Sequence, residues 1–229
     1  MSVLLSGVMV YSLVTDEMTG RAYSTEENAE QSPTFEAEGG GSYAFMATQQ
    51  GSDEPVAYDS CETIRVVVNE REAPGDADEI LDRALAATEE ATGLRFTVVG
   101  TTDEQPLVSD EIRDGDDWRP VQISWTDSEE APDLAGDVVG LGGSTWLEDD
   151  GHRWYVTGEV ALDAPDLERL GTETAVHVLI HELGHVLGLA HVDDHNELMH
   201  PYGDRPGWGP GDLAGLAELG SGRCDSPVP

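Results

Sequence analysis

Apolar residues change period several times along the chain, and each change predicts an element. Ile64-Arg-Val-Val-Val-Asn69 is a short β-branched run of strand length. Ile80, Leu81, Ala84, Leu85 and Thr88 then return at steps of three and four. That spacing predicts a helix opened by Asp76 or Asp78 and closed after Thr92 by Gly93. Leu94–Gly100 is a second strand, Val121–Thr126 an alternating third, Val138–Trp146 a fourth and Trp154–Leu162 a fifth, with a polar loop over 101–119. Residues 172–189 are apolar around most of the helical circumference, so this helix is largely buried, with Thr172 as its N-cap. A last helix lies within Gly209–Gly220. Strands and helices in this order predict an α+β fold, with a sheet layered against helices.

The chain ahead of residue 56 has a different character. Residues 15–55 are polar and acidic and include Glu36-Ala-Glu-Gly-Gly-Gly-Ser42. Such a composition buries too little apolar area to offset ordering, so it predicts a flexible linker or vestigial pro-segment. Tyr43-Ala-Phe-Met46 is a short patch able to dock on the domain. Residues 1–14 hold the apolar run Val3–Val14, which has the length of a signal-peptide core but no preceding Lys or Arg, and is short for a membrane span. The main domain accordingly covers 56–225.

The chemistry concentrates in His181-Glu-Leu-Gly-His-Val-Leu-Gly-Leu-Ala-His191. His181 and His185 are four apart, so on a helix they share one face and can close on a single zinc ion. Glu182 sits beside the metal without being forced to bind it. Gly188 can end the helix in the left-handed conformation, letting His191 supply a third nitrogen from outside it. Three protein ligands and one open position describe a catalytic zinc rather than a structural one, with Glu182 as general base. The competing explanation is that these are buried, hydrogen-bonded core histidines. Five fixed positions coinciding in one short stretch favour the metal.

Eight residues after His191 comes Met199, in Asn196-Glu-Leu-Met-His-Pro-Tyr202. A long zinc motif followed by a Met-containing turn is the metzincin signature; His181–Pro201 resembles the matrixins, and Glu54–Ile64 and Ala91–Phe96 resemble their secreted bacterial members. The resemblance implies a metzincin-type catalytic domain with a twisted, mixed five-stranded sheet and three helices, and zinc on the helix that carries His181-Glu-Leu-Gly-His185. It implies a zinc endopeptidase acting on extended proteins or peptides, with Met199 as a hydrophobic floor beneath the imidazoles. Substrate would lie along the strand containing Gly142, Gly143 and Ser144, while Val178, Leu198, His200 and Pro201 would shape the pocket and Tyr202 would pack nearby. His200 stands where the family usually has tyrosine. The thiol-bearing pro-segment motif of matrixins and the histidines of their second zinc site are both missing from the sequence. The alternative from another class is a non-catalytic, zinc-stabilised binding or adhesion module, against which the presence of Glu182 argues.

Charge narrows the partners. Eleven basic residues, all arginine, stand against 47 acidic ones, a formal charge of −36. Such a surface repels nucleic acid and anionic membranes. The acidity is explained first as a solubility and salt-tolerance adaptation, second as calcium ligation, and third as attraction of cationic substrates. Asp127, Glu129, Glu130, Asp133 and Asp137 are the calcium candidates, and a solvated acidic loop is the leading explanation for them. Two cysteines, Cys61 and Cys224, flank the domain. An even count in a secreted enzyme favours a disulfide, and two free buried thiols are the alternative. The expectation is a secreted monomer without a membrane-spanning domain.

Overall fold

The computed structural model describes residues 12–15, 33–107, 113–201 and 205–226. In chain order the elements are strands β1 (Ser12–Thr15), β2 (Thr34–Glu36), β3 (Ser42–Phe45) and β4 (Thr63–Asn69), then helix α1 (Ala77–Thr92). Strands β5 (Arg95–Thr101), β6 (Arg113–Asp114), β7 (Asp117–Trp118), β8 (Val121–Thr126), β9 (Val138–Asp149) and β10 (His152–Asp163) follow. Helices α2 (Ala164–Leu170) and α3 (Thr172–Leu187), the short strand β11 (Leu189–Ala190) and helix α4 (Pro210–Leu219) complete the chain.

Five strands form the mixed sheet in the order β5-β4-β8-β10-β9, and β1 adds to the outside of β9. β4 runs parallel to β5 and β8, and β10 parallel to β8, whereas β9 is antiparallel to β10. The reversal is made by Asp150 and Gly151, both at positive φ, as a two-residue hairpin turn requires. β8 is buried at every position, the mark of a central strand covered on both faces. The stripe Ile80, Leu81, Ala84, Leu85 and Thr88 of α1 is buried as its spacing predicts. It joins Val66, Val68, Ile123, Leu179 and Leu183 in one core.

The α+β class and the mixed sheet agree with the sequence, but the described residues form four α-helices rather than three. α2 is opened by the Asp163 carboxylate, which accepts the Asp166 amide at 2.9 Å. Two turns are too few to register as a period. Thr172 is not a cap. Gly171 holds that place, and the Thr172 hydroxyl donates to the Asp76 carboxylate, which makes no side-chain capping bond of its own.

The second difference lies in residues 33–55. β2, β3 and β11 form a small antiparallel sheet, with Phe45 opposite Leu189 and Ala44 opposite Ala190. Phe45 is fully buried, and Phe35 stacks on Tyr43 at 5.3 Å between ring centres. Three aromatics supply the apolar area that the polar composition around them conceals. The calls on residues 1–11 and 16–32 lie outside the described residues. Cys61 and Cys224 are joined in a disulfide, closing the two ends of the domain. Among the described residues no helix is long and apolar enough to cross a membrane.

Candidate metal centre

α3 sets two of the three candidate ligands by its own geometry. Its end is set by Gly188, at φ 120°, whose amide bonds the carbonyls of Gly184 and His185. A side chain there would also stand 2.9 Å from the Tyr155 ring, so glycine is required twice over. The chain leaves α3 through β11, which β3 holds from the other side, and Met46 N bonds Gly188 O at 2.8 Å. His191 follows directly. The segment expected to be a linker thus fixes the approach to the third histidine.

The three Nε2 atoms converge at 3.1 Å (His181 to His191), 3.0 Å (His181 to His185) and 3.2 Å (His185 to His191). His181 Nδ1 lies 2.7 Å from Leu198 O, and His185 Nδ1 2.7 Å from Leu189 O. A carbonyl only accepts, so the single proton of each neutral ring sits on Nδ1 and leaves Nε2 as a bare lone pair. Lone pairs facing one another at this range do not hydrogen-bond and call for a cation between them. Tetrahedral zinc at 2.0–2.1 Å from each nitrogen would set the nitrogens about 3.3 Å apart, close to what is seen. Burial drives His181 down to about 4, and burial followed by the neighbouring imidazoles drives His185 and His191 well below their usual value. All three therefore stay neutral and ligand-ready at physiological pH. These facts disfavour the core-histidine explanation.

Glu182 is fully buried, and neither carboxylate oxygen has a hydrogen-bond partner among the described residues. Burial pushes its pKa well above the usual carboxylate range. It faces β9. A Cβ at Gly140 would stand 2.7 Å from Glu182 Oε1, and one at Gly142 2.5 Å from Glu182 O and 2.9 Å from its Oε2. The glycines of this strand, expected to admit substrate, thus also admit α3 and its carboxylate. Val178 lines the same contact, since its Cγ1 would be 2.9 Å from a Cβ at Gly140.

The remaining candidates are placed as follows. Gly143 pairs with Glu159 of β10. The Ser144 hydroxyl donates to Val186 O at 2.7 Å and meets the Tyr58 hydroxyl at 2.8 Å, which commits it to bracing β9 against α3. Met199 is buried, with Sδ 2.7 Å from where a Cβ on Gly184 would be, directly beneath the ligand-bearing turn. His200 is buried and its ring lies 3.9 Å from that of His195. Pro201 follows it, half-buried, and Tyr202 lies outside the described residues. The acidic run at 127–137 gains no support as a calcium site. Its residues do not converge as a ligand group, Asp127 accepts the amides of Glu129 and Glu130, and Glu130 pairs with Arg71.

Sequence reasoning missed Asp212. Its carboxylate is fully buried and accepts from Leu198 N at 2.6 Å, Gly209 N at 2.8 Å and Met199 N at 3.3 Å. Glu197 returns the contact by accepting Asp212 N at 2.9 Å. Leu198 is the residue whose carbonyl receives His181 Nδ1, so Asp212 orients a candidate ligand through one peptide unit. The signal was Gly209-Pro-Gly-Asp212, an acidic N3 residue at a proline-opened helix start.

The family model described as Matrixin matches residues 62–207 of this chain. Among solved structures, the chain is similar to high choriolytic enzyme 1, a hatching-enzyme zinc protease from the medaka fish Oryzias latipes. Identity there is 16%, covering 73% of this chain and 94% of that one, with a TM-score of 0.39. It is also similar to archaemetzincin from Methanopyrus kandleri, at 17% identity over 67% of this chain and 93% of that one, with a TM-score of 0.37. No curated protein matches it.

Proposed function

The chain belongs to the matrixin family of zinc metalloproteases, and from that premise we propose that it is an exported endopeptidase that hydrolyses peptide bonds in extended protein or peptide segments. The observation that carries this reading is the pairing of three converging Nε2 atoms with an unpartnered, buried carboxylate one residue along the same helix. His181, His185 and His191 would hold zinc, which supplies Lewis-acid polarisation of a carbonyl and acidifies water.

The chain's own residues do the rest. Glu182 accepts a proton from the attacking water on one carboxylate oxygen and delivers it to the leaving amine. Gly140 and Gly142 keep that carboxylate against β9. An extended substrate would pair with the backbone of β9 beside it, Gly142, Gly143 and Ser144 offering main-chain groups. Leu198 and Leu189 carbonyls hold the two helical imidazoles in the tautomer that leaves Nε2 free. The disulfide is compatible with an oxidising destination.

Glu182→Gln keeps the shape and loses the base. It should retain zinc at wild-type stoichiometry and lose about 10²–10⁴-fold in kcat on a peptide library. Equal zinc content with no cleavage by either protein would sink the endopeptidase reading and leave a zinc-stabilised binding module.

A further inference from the structure

The outer edge of β9 is occupied by the chain itself. β1 runs antiparallel to it, with Ser12 opposite Gly142, Leu13 opposite Leu141, Val14 opposite Gly140 and Thr15 opposite Val138 after a register shift. Two of these positions, Gly140 and Gly142, face Glu182, and the backbone of β1 passes close to α3 as well. An extended peptide running along β9 through Gly142 needs main-chain N–H and C=O groups that β1 already engages. One edge accepts one strand. A tethered competitor also acts at an effective concentration on the order of 1 mM, enough to exclude free peptides of weaker affinity.

We propose that Ser12–Thr15 form a built-in competitor for the substrate edge, keeping the enzyme latent through backbone pairing rather than through a thiolate on the metal. The inference rests on the endopeptidase reading above and concerns the regulation of that same site. Neither cysteine is available for a thiolate block, because both are consumed in the disulfide. β1 is four residues long, outermost in the sheet and paired on one side only, so it belongs to the least stable part of the sheet. Any break in the chain between residues 16 and 32 would turn the intramolecular competitor into a free peptide and open the edge.

Proline lacks the N–H that pairing requires. The test compares full-length, zinc-loaded wild type with Leu13→Pro/Val14→Pro, and with Ala22→Pro/Tyr23→Pro as a matched control outside the paired stretch. Two quantities are read: kcat/KM on a quenched peptide, and hydrogen–deuterium exchange of the amides in 138–143. The expected result is a rise of at least tenfold in kcat/KM and faster exchange in the 13/14 variant, with neither in the control. Equal exchange in all three proteins would overturn the proposal, since no strand would then be protecting the edge. Faster exchange with unchanged cleavage would overturn latency. Faster exchange with no cleavage by any of the proteins would keep the occupied edge and instead remove the endopeptidase reading.

Discussion

Gly184 lies between the two helical candidate ligands, and what it leaves out matters more than what it contributes. A methyl group there would stand 2.7 Å from Met199 Sδ and 3.2 Å from the Trp208 ring. Gly184→Ala should lower stability by about 1–3 kcal/mol, because a packed core relaxes only partly around an added carbon. The rise in Tm on adding zinc should shrink with it, since the displaced neighbour lies under the ligands, and calorimetry with and without zinc reads both effects. In the sequence this glycine is a spacer in a motif. Its partner is fifteen positions away, across a turn, and no local period reports such a contact. The candidate ligands were nameable from the sequence because a four-residue step on a helix is local geometry. The commitment of the Ser144 hydroxyl to Val186 and Tyr58 was not, because it depends on which face of β9 meets α3.

Among elements, α4 bears on the centre more than its distance along the chain suggests. Its first turn presents Asp212 to the Met-containing turn, and burial raises that carboxyl from 3.8 to about 6, the amides of Gly209 and Leu198 opposing the rise. The unfolded chain releases this proton near the lower value and the folded chain near the higher one. The ionised group is therefore a cost to stability fully present above about pH 6, and folding takes up a proton as pH falls from there towards 4. Asn at this position cannot titrate. Wild type should gain stability relative to Asp212→Asn as pH falls from 6.5 to 4, measured as the difference in Tm across a pH series. A flat difference would show that the carboxylate is not perturbed. The small sheet β2-β3-β11 makes the complementary point about legibility. Its residues are too few and too polar on average to announce themselves, and only the pairing of Phe45 with Leu189 reveals that this stretch steers His191.

At the scale of the molecule, the strands of the main sheet were visible as apolar runs but their order was not, and the count of helices missed α2. The disulfide spans 163 residues, a loop for which the chain-entropy model gives about 4–5 kcal/mol of stabilisation. Reduction should lower Tm by roughly 10 °C or more for a domain of this size, with the fold otherwise retained at moderate temperature. Scanning calorimetry with and without reductant tests this.

That same bridge also sorts cuts into two kinds. A peptidase in solution is exposed to copies of itself, and a scission anywhere between Cys61 and Cys224 leaves both pieces covalently joined. A scission before Cys61, by contrast, leaves the leading piece held by packing and strand pairing alone, so denaturation releases it. Nicked preparations should run as one band without reductant and as fragments with it, except for a piece cut from the N-terminal side, which should run separately in both lanes. The protein is in this sense a ring with a detachable lead: damage inside the ring is tolerated, and a break in the lead is irreversible.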